Sequence, residues 1–253
     1  MEIALLTAIG VGGATIIGAG IGFLFKNISH KFSDIVLAFA SGVMLAAAVI
    51  GLILPAVEYG GGGVTGLIIA IGSMFLGALF ITVMDKIVPH LHKLSGIEAE
   101  EHKANAKLKK VMLFVFAIAI HNLPEGLAAG VGFGSGNTAE ALVIAGGIAL
   151  QNIPEGMVII APMLATGISK KKTFLYASLT GVVEIIGTVL GYFAVTIGTA
   201  ILPYALAFAG GTMLYVISDE MIPETHAHGS QRGATFALIA GFCLMLVFDV
   251  LLG

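Results

Sequence analysis

The sequence predicts an all-α, polytopic membrane protein with eight transmembrane helices. Three observations predict it. Of 253 residues, 58% are hydrophobic and 11% are charged, against roughly 25% charged in soluble domains, and the mean hydropathy is +1.04. The apolar residues gather in runs near 3–25, 33–56, 64–88, 109–135, 139–165, 172–199, 203–223 and 233–252, each close to the roughly 20 residues that cross a hydrocarbon core of about 30 Å. Finally, all twelve lysines and arginines lie after the first, third, fifth and seventh runs.

The first run is expected to be retained as a span, because Glu2 stands where a secretory leader would carry positive charge. Lys26 and Lys31 follow it, and the second run ends in the turn Tyr59-Gly60-Gly61-Gly62-Gly63. After the third run comes the one long polar connection, at about 89–110, which holds Glu98-Ala99-Glu100-Glu101 and His102 and reads as a solvated segment. Gly134-Ser135-Gly136-Asn137 separates the fourth and fifth runs, Lys170 to Lys172 open the sixth, and Gly229-Ser230-Gln231-Arg232 precedes the eighth. Positive residues are held on the cytoplasmic side, so the 89–110 loop is expected to be cytoplasmic and both termini outside. One missed or invented helix would scatter the lysines over both faces. The whole chain, 1–253, reads as a single transmembrane domain in the lipid bilayer.

Several classes of function are excluded or left without support. The net charge of −3 and a pI near 6.1 make no case for nucleic acid. A single Cys243 forms no internal disulfide, and no P-loop motif is present for ATP coupling. Gly18 with Gly22, and Gly187 with Gly191, have the small-xxx-small spacing of helix packing, and the ten methionines read as packing or lipid-facing residues.

The sequence HNLPEG, His121 to Gly126, recurs as QNIPEG, Gln151 to Gly156, in the fourth and fifth runs. Asn-x-Pro and Pro-Glu-Gly are ordinary turn signals. A turn at His121 would, however, leave Val111–Ile120 too short to span, whereas Val111–Gly134 taken whole is long enough. His121 then lies roughly 16 Å up a helix from Lys110, close to the midplane, and Glu155 lies fifteen residues from both Glu140 and Lys170. Three carboxylates at such depth, Glu125, Glu155 and Glu184, would together cost on the order of 10 kcal/mol if charged and unpaired. Protonation is the alternative for any one of them alone. His121 and Glu125 share a helix face at i, i+4, as do Gln151 and Glu155, so two facing helices bring all four to one point. Carboxylate, imidazole and amide oxygen together suit a divalent ion of borderline hardness such as Zn²⁺, Fe²⁺ or Mn²⁺, and no thiolate is near to favour Cu(I). Pro124 and Pro154 cannot donate to the carbonyls of Ile120 and Leu150 and are expected to kink the fourth and fifth spans. Interrupted neighbouring helices at the midplane are a device of secondary transporters.

With HNLPEG on the fourth span, QNIPEG on the fifth and Glu184 in the sixth, the chain resembles the ZIP family of divalent metal transporters, over essentially its whole length and in its prokaryotic form. The resemblance implies a two-metal centre. His121, Glu125, Gln151 and Glu155 would form one site, and Asn122, Asn152 and Glu184 the neighbouring one, with the motif glutamates bridging. Some members carry Asp at the position of Asn152, so the second site here is less negative. Acidic residues near span ends, Asp249 at one end and Asp85, Asp219 and Glu220 at the other, suggest a path, although such acids also simply meet water. The resemblance raises Asp249 as an entrance residue and Asp85, His90, His92 and Glu220 as exit residues. His226 and His228 lie on the same side as the exit.

The function this implies is secondary transport of divalent transition metal into the cytoplasm, zinc first, with iron, manganese and cadmium as the other candidates. No cofactor is expected; the transported ion is the bound species. A membrane-embedded metallohydrolase is the alternative, although no HExxH occurs, and a structural bundle with protonated carboxylates is a third reading. The short, undecorated chain suggests a plasma membrane protein of a prokaryote, and a glycine-rich bundle allows a homodimer.

Overall fold

The computed structural model describes residues 2–25, 29–94, 103–133 and 136–252. These form eight long helices and, among the described residues, no strand. They are α1 (Glu2–Gly22), α2 (His30–Tyr59), α3 (Gly63–Leu94), α4 (Lys103–Gly132), α5 (Thr138–Leu164), α6 (Lys170–Ile197), α7 (Leu202–His226) and α8 (Gln231–Leu252). All but α4 contain a stretch long and apolar enough to cross a membrane. The 30-residue α4 begins among lysines and carries HNLPEG.

Local chemistry sets many of the ends. Ser29 caps α2 by accepting from the Phe32 N–H, Asn137 caps α5 through the Ala139 and Glu140 N–H groups, and Ser169 caps α6. Between α2 and α3 the chain turns at Gly61, Gly62 and Gly63, all at positive φ, a conformation glycine adopts without a Cβ penalty. Helix α3 runs on to Leu94, past the point where the sequence predicts the long loop to begin. His102 and the Glu98–Glu101 run lie outside the described residues.

The widened turns lie beside prolines other than those of the motifs. Helices α4 and α5 run uninterrupted through Pro124 and Pro154. Widened π turns occur instead at Ala47–Ile53 in α2 and Ile217–Met221 in α7, each just upstream of Pro55 or Pro223. In both, the backbone bond reaches back five residues, from Leu54 N–H to Val49 O and from Ile222 N–H to Ile217 O. A proline without an N–H leaves the carbonyl four residues back, Gly51 or Asp219, without its helical donor, and the extra residue per turn absorbs the ring.

Two groups of four helices result. Helices α1, α4, α5 and α6 pack on one another, and α8 packs on α2 as α3 packs on α7. Within the first group a Cβ would collide with the neighbouring backbone at Gly12, Gly18, Gly130, Gly181, Gly187 and Gly191; within the second, at Gly42, Gly77, Gly211 and Gly241. The small-xxx-small pairs are thus packing contacts: Gly18 meets Ile153, Gly22 meets Ile160, Gly187 meets Leu123 and Gly191 meets Leu127. Between the groups, Gly51 and Gly147 meet only side chains, those of Ile144 and of Met245 and Val43. Backbone contact therefore makes each group internally rigid, while side chains alone separate the groups at these positions.

Exposed apolar residues recur at helical spacing, as Leu67, Ile71, Phe75, Leu79 and Val83 on α3 and Leu175, Leu179, Val182, Ile186, Leu190 and Phe193 on α6. A chain that turns such faces outward and its carboxylates inward is built for lipid. The buried apolar side chains form two clusters. The larger includes Met44, Leu52, Val131, Ile144, Ile148, Leu206, Met213 and Met245; most of these lie between the motifs and the lysine-free end of the bundle. The smaller holds Val115, Ile118, Ile159, Ile160 and Met163 toward the lysine-bearing end.

Candidate metal centre

The polar side chains of the two motifs point into the helix bundle. His121, Asn122 and Glu125 of α4, Gln151, Asn152 and Glu155 of α5 and Glu184 of α6 are all buried, with His121 the most exposed at 7%. The i, i+4 spacing read from the sequence accounts for the shared faces. Glu125 lies close enough to Glu155 and Glu184 for their charges to interact, as Glu155 does to His121.

The glycine that ends each motif lets a neighbouring helix come close. A Cβ on Gly126 would run into the backbone of Glu184 and Thr188, and one on Gly156 into the backbone of Thr15 and Ala19. Gly126 thereby seats α6 against α4 at Glu184, and Gly156 seats α1 against α5 at Thr15. The consequence is a hydrogen-bonded cluster beside the motifs. Asn152 Nδ2 donates to Glu184 Oε1 at 2.6 Å and to the carbonyl of Val11 at 3.0 Å, while the Thr15 hydroxyl donates to Glu184 Oε2 at 3.2 Å. Both carboxylate oxygens of Glu184 are therefore engaged, and the Asn152 amide points its donor, not its oxygen, at that residue. Thr15 and Val11 escape a reading of the sequence, because a threonine in an apolar first span carries no signal of its partner.

Other polar atoms in the same place have no partner. Both side-chain polar atoms of Asn122, Oδ1 of Asn152 and Oε2 of Glu125 are buried without a hydrogen bond, and the Gln151 side chain lies within reach of the Glu125 carboxylate. Leaving such a group unsatisfied costs about 1–3 kcal/mol, so several in one locus need a guest. Most are oxygens, and with His121 they are donor types of the kind that suit a borderline cation. Among the described residues no three His, Cys, Asp or Glu side chains stand ready-clustered around an ion.

Glu220 joins this centre from the other helix group. Its Oε1 lies 2.8 Å from His121 Nε2, a close contact that lacks hydrogen-bond alignment. The sequence suggests Glu220 as an exit residue; it lies in the π turn before Pro223 and stands beside the motif histidine. A cavity of about 460 Å³ begins at His121, Glu125 and Glu155 and is lined further out by Leu37, Asp219, Glu220, Pro223, Glu224 and Ala227. Asp219, Pro223, Glu224 and Ala227 are exposed, so the cavity reaches the surface at the end of the bundle where Lys170–Lys172 and Arg232 lie. Asp249 is half-buried near the end of α8, at the opposite side. Asp85, His90 and His92 fall on the last turns of α3, with their side chains outside the described residues.

A helical bundle apolar enough to cross a membrane, with buried carboxylate, imidazole and amide groups at the foot of a cavity of about 460 Å³, is suited to handling cations. Its relatives specify the class. A sequence model described as ZIP Zinc transporter matches residues 95–249. The chain is 38% identical over 257 residues to zinc transporter GufA of Myxococcus xanthus, covering 100% of both chains. It is 37% identical over 245 residues to zinc transporter ZIPB of Bordetella bronchiseptica, covering 95% of this chain and 78% of that one. To zinc transporter ZIP11 of Bos taurus it is 35% identical over 332 residues, with 99% and 97% covered. The protein belongs to the ZIP zinc transporter family, a family of transporters rather than enzymes.

Proposed function

We propose that this protein carries Zn²⁺ and related divalent ions such as iron, manganese and cadmium across the plasma membrane into the cytoplasm by alternating access. The observation that carries the reading is the set of buried, unpartnered polar atoms on Asn122, Glu125 and Asn152 at the inner end of a cavity that starts at His121. The ion binds to His121, Glu125, Gln151 and Glu155. Asn122, Asn152 and Glu184 form the neighbouring position, which a second ion can take once Glu184 gives up its bonds from Asn152 and Thr15. The other eight-span features follow the sequence reading: α4 is the fourth span, the lysine-bearing end is cytoplasmic, and both termini are outside.

In this orientation the cavity is an inward-facing path. Ions leave past Glu220 and Asp219 toward the turns of α3 that hold Asp85, His90 and His92. The larger apolar cluster, with Leu52, Ile144, Ile148 and Met245, seals the route toward Asp249. Opening that side requires the two helix groups to shift where only side chains meet, as at Gly51 with Ile144. The exposed apolar faces meet lipid, and a homodimer pairs two of them; cross-linking in native membranes tests that assembly.

The deciding experiment is zinc flux into proteoliposomes loaded with a fluorescent chelator. Saturable uptake that is absent from empty liposomes and from Glu155→Ala supports the reading. Metal binding without any flux would overturn it.

A further inference from the structure

We propose a second divalent-cation site, built from Asp34, His228 and His30, at the rim of the inward cavity. Asp34 is a carboxylate buried to 3% exposure at the start of α2. One of its oxygens, Oδ1, lies 3.0 Å from His228 Nδ1, and the other, Oδ2, is buried without a partner. Two zinc ligands at about 2.0–2.1 Å from one ion, spread at a tetrahedral angle, stand roughly 3.3 Å apart. The Asp34–His228 pair is already near that span, with a proton where the ion would sit. His30 supplies the third donor. Its ring stacks on that of His228 with centroids 4.5 Å apart, and it precedes Asp34 by four residues on α2, so both project from one helix face. As placed, the three side chains do not surround one point, so the site requires His30 to turn to another staggered side-chain well.

His226 offers a contrast two residues away. Its Nδ1 meets the Thr225 hydroxyl and the Ile222 carbonyl, and its Nε2 meets Thr235, so it is held as a structural residue. The distinction assigns the ligand role to His228.

Two imidazoles and one carboxylate leave a zinc-type ion a position open to water, which is how exchangeable sites are built. The location suits exchange. His228 follows Ala227, and Asp34 lies one turn before Leu37, both of which line the cavity. An ion released from the midplane therefore meets this site at the mouth; that role rests on the proposed transport, whereas the donor set does not. Binding transfers the Nδ1 proton of His228 to solvent as the ion takes its place.

Equilibrium dialysis of purified full-length protein against radioactive zinc tests it. At saturating free zinc, Asp34→Asn and His228→Gln should each bind about one ion fewer than wild type, the loss of one complete site. Glu125→Ala/Glu155→Ala should keep that ion, and adding His228→Gln to it should remove it. Equal zinc binding by His228→Gln, Asp34→Asn and wild type would overturn the site and leave Asp34–His228 a structural pair. Where Asp34→Asn fails to elute as monodisperse protein, His228→Gln decides alone, since its side chain is 31% exposed. If His228→Gln loses an ion while Glu125→Ala/Glu155→Ala loses none, this site stands and the midplane reading falls.

Discussion

Replacing Gly126 by alanine adds one methyl group where α4 touches α6, and the structure sets its cost. The new Cβ would lie 2.8 Å from the Thr188 nitrogen and closer still to the Glu184 carbonyl oxygen. Contact distances for such atoms are about 3.5–4.0 Å, so the helices must separate by at least roughly 0.7 Å at the level of the centre. The obstacle is backbone, which cannot rotate away. Overpacking of this kind costs about 1–3 kcal/mol, and because it displaces Glu184 and its bond from Asn152, the same energy falls on ion binding as about a 5- to 150-fold loss. Gly146 of α5 is the control: a Cβ there meets nothing within 4 Å, and alanine in a helix interior is favoured over glycine by about 1 kcal/mol. We expect Gly126→Ala to lower both zinc uptake and the fraction that stays monodisperse on gel filtration after heating, and Gly146→Ala to leave uptake at wild-type level. Equal uptake and heat resistance in the two variants would refute the argument that Gly126 sets the geometry of the centre.

Loss of either motif glutamate, as Glu125→Ala or Glu155→Ala, should nearly abolish uptake while folded protein still reaches the membrane; substantial residual flux would show that neither is an essential ligand. His121→Ala should weaken Zn²⁺ binding more than Mn²⁺ binding, since imidazole suits zinc while carboxylate and water suffice for manganese, and calorimetry with both ions reads the difference. Glu184→Gln can keep its bond from Asn152 through Oε1 and turn its amide to the Thr15 hydroxyl, so helix packing should survive and uptake should fall without vanishing. Its midplane zinc, counted by dialysis in a His228→Gln background, should drop from about two ions toward about one by the complete-ligand count of the first site; one ion in both backgrounds would remove the second position. For topology, cysteines at Gly62 and Gly136 in a Cys243→Ser protein should react with impermeant thiol reagents in intact cells, and one at Ala104 should not.

Much of the fold is legible because hydropathy and spacing are local. The apolar runs locate α1 to α8 within a few residues, and the i, i+4 pairs in HNLPEG and QNIPEG place His121, Glu125, Gln151 and Glu155 on buried faces as read. The small-residue pairs at Gly18, Gly22, Gly187 and Gly191 were equally legible as packing positions. Harder to read were the π turns. Pro55 and Pro223 are as visible in the sequence as Pro124 and Pro154, but a proline alone does not say whether its helix will kink, widen or run on; the packing around it chooses. Glu220 shows the effect of that choice, since an expected exit residue in the widened turn stands beside the motif histidine.

What the sequence by itself determined is therefore every property that a helix carries alone: its length, its polar face, its charged end and the residues small enough to admit a neighbour. Which neighbour arrives is a property of the whole bundle. Thr15 and Glu184 stand 169 positions apart and Asn152 and Glu184 stand 32 apart, yet they share one hydrogen-bonded cluster because Gly126 and Gly156 bring α6 and α1 to the motifs. No local pattern encodes those pairings, since a glycine's open flank accepts any backbone of suitable shape. Only the packed structure decides that the Asn152 amide and the Thr15 hydroxyl hold Glu184, while the Asn122 side chain and the Asn152 oxygen are left without a hydrogen bond.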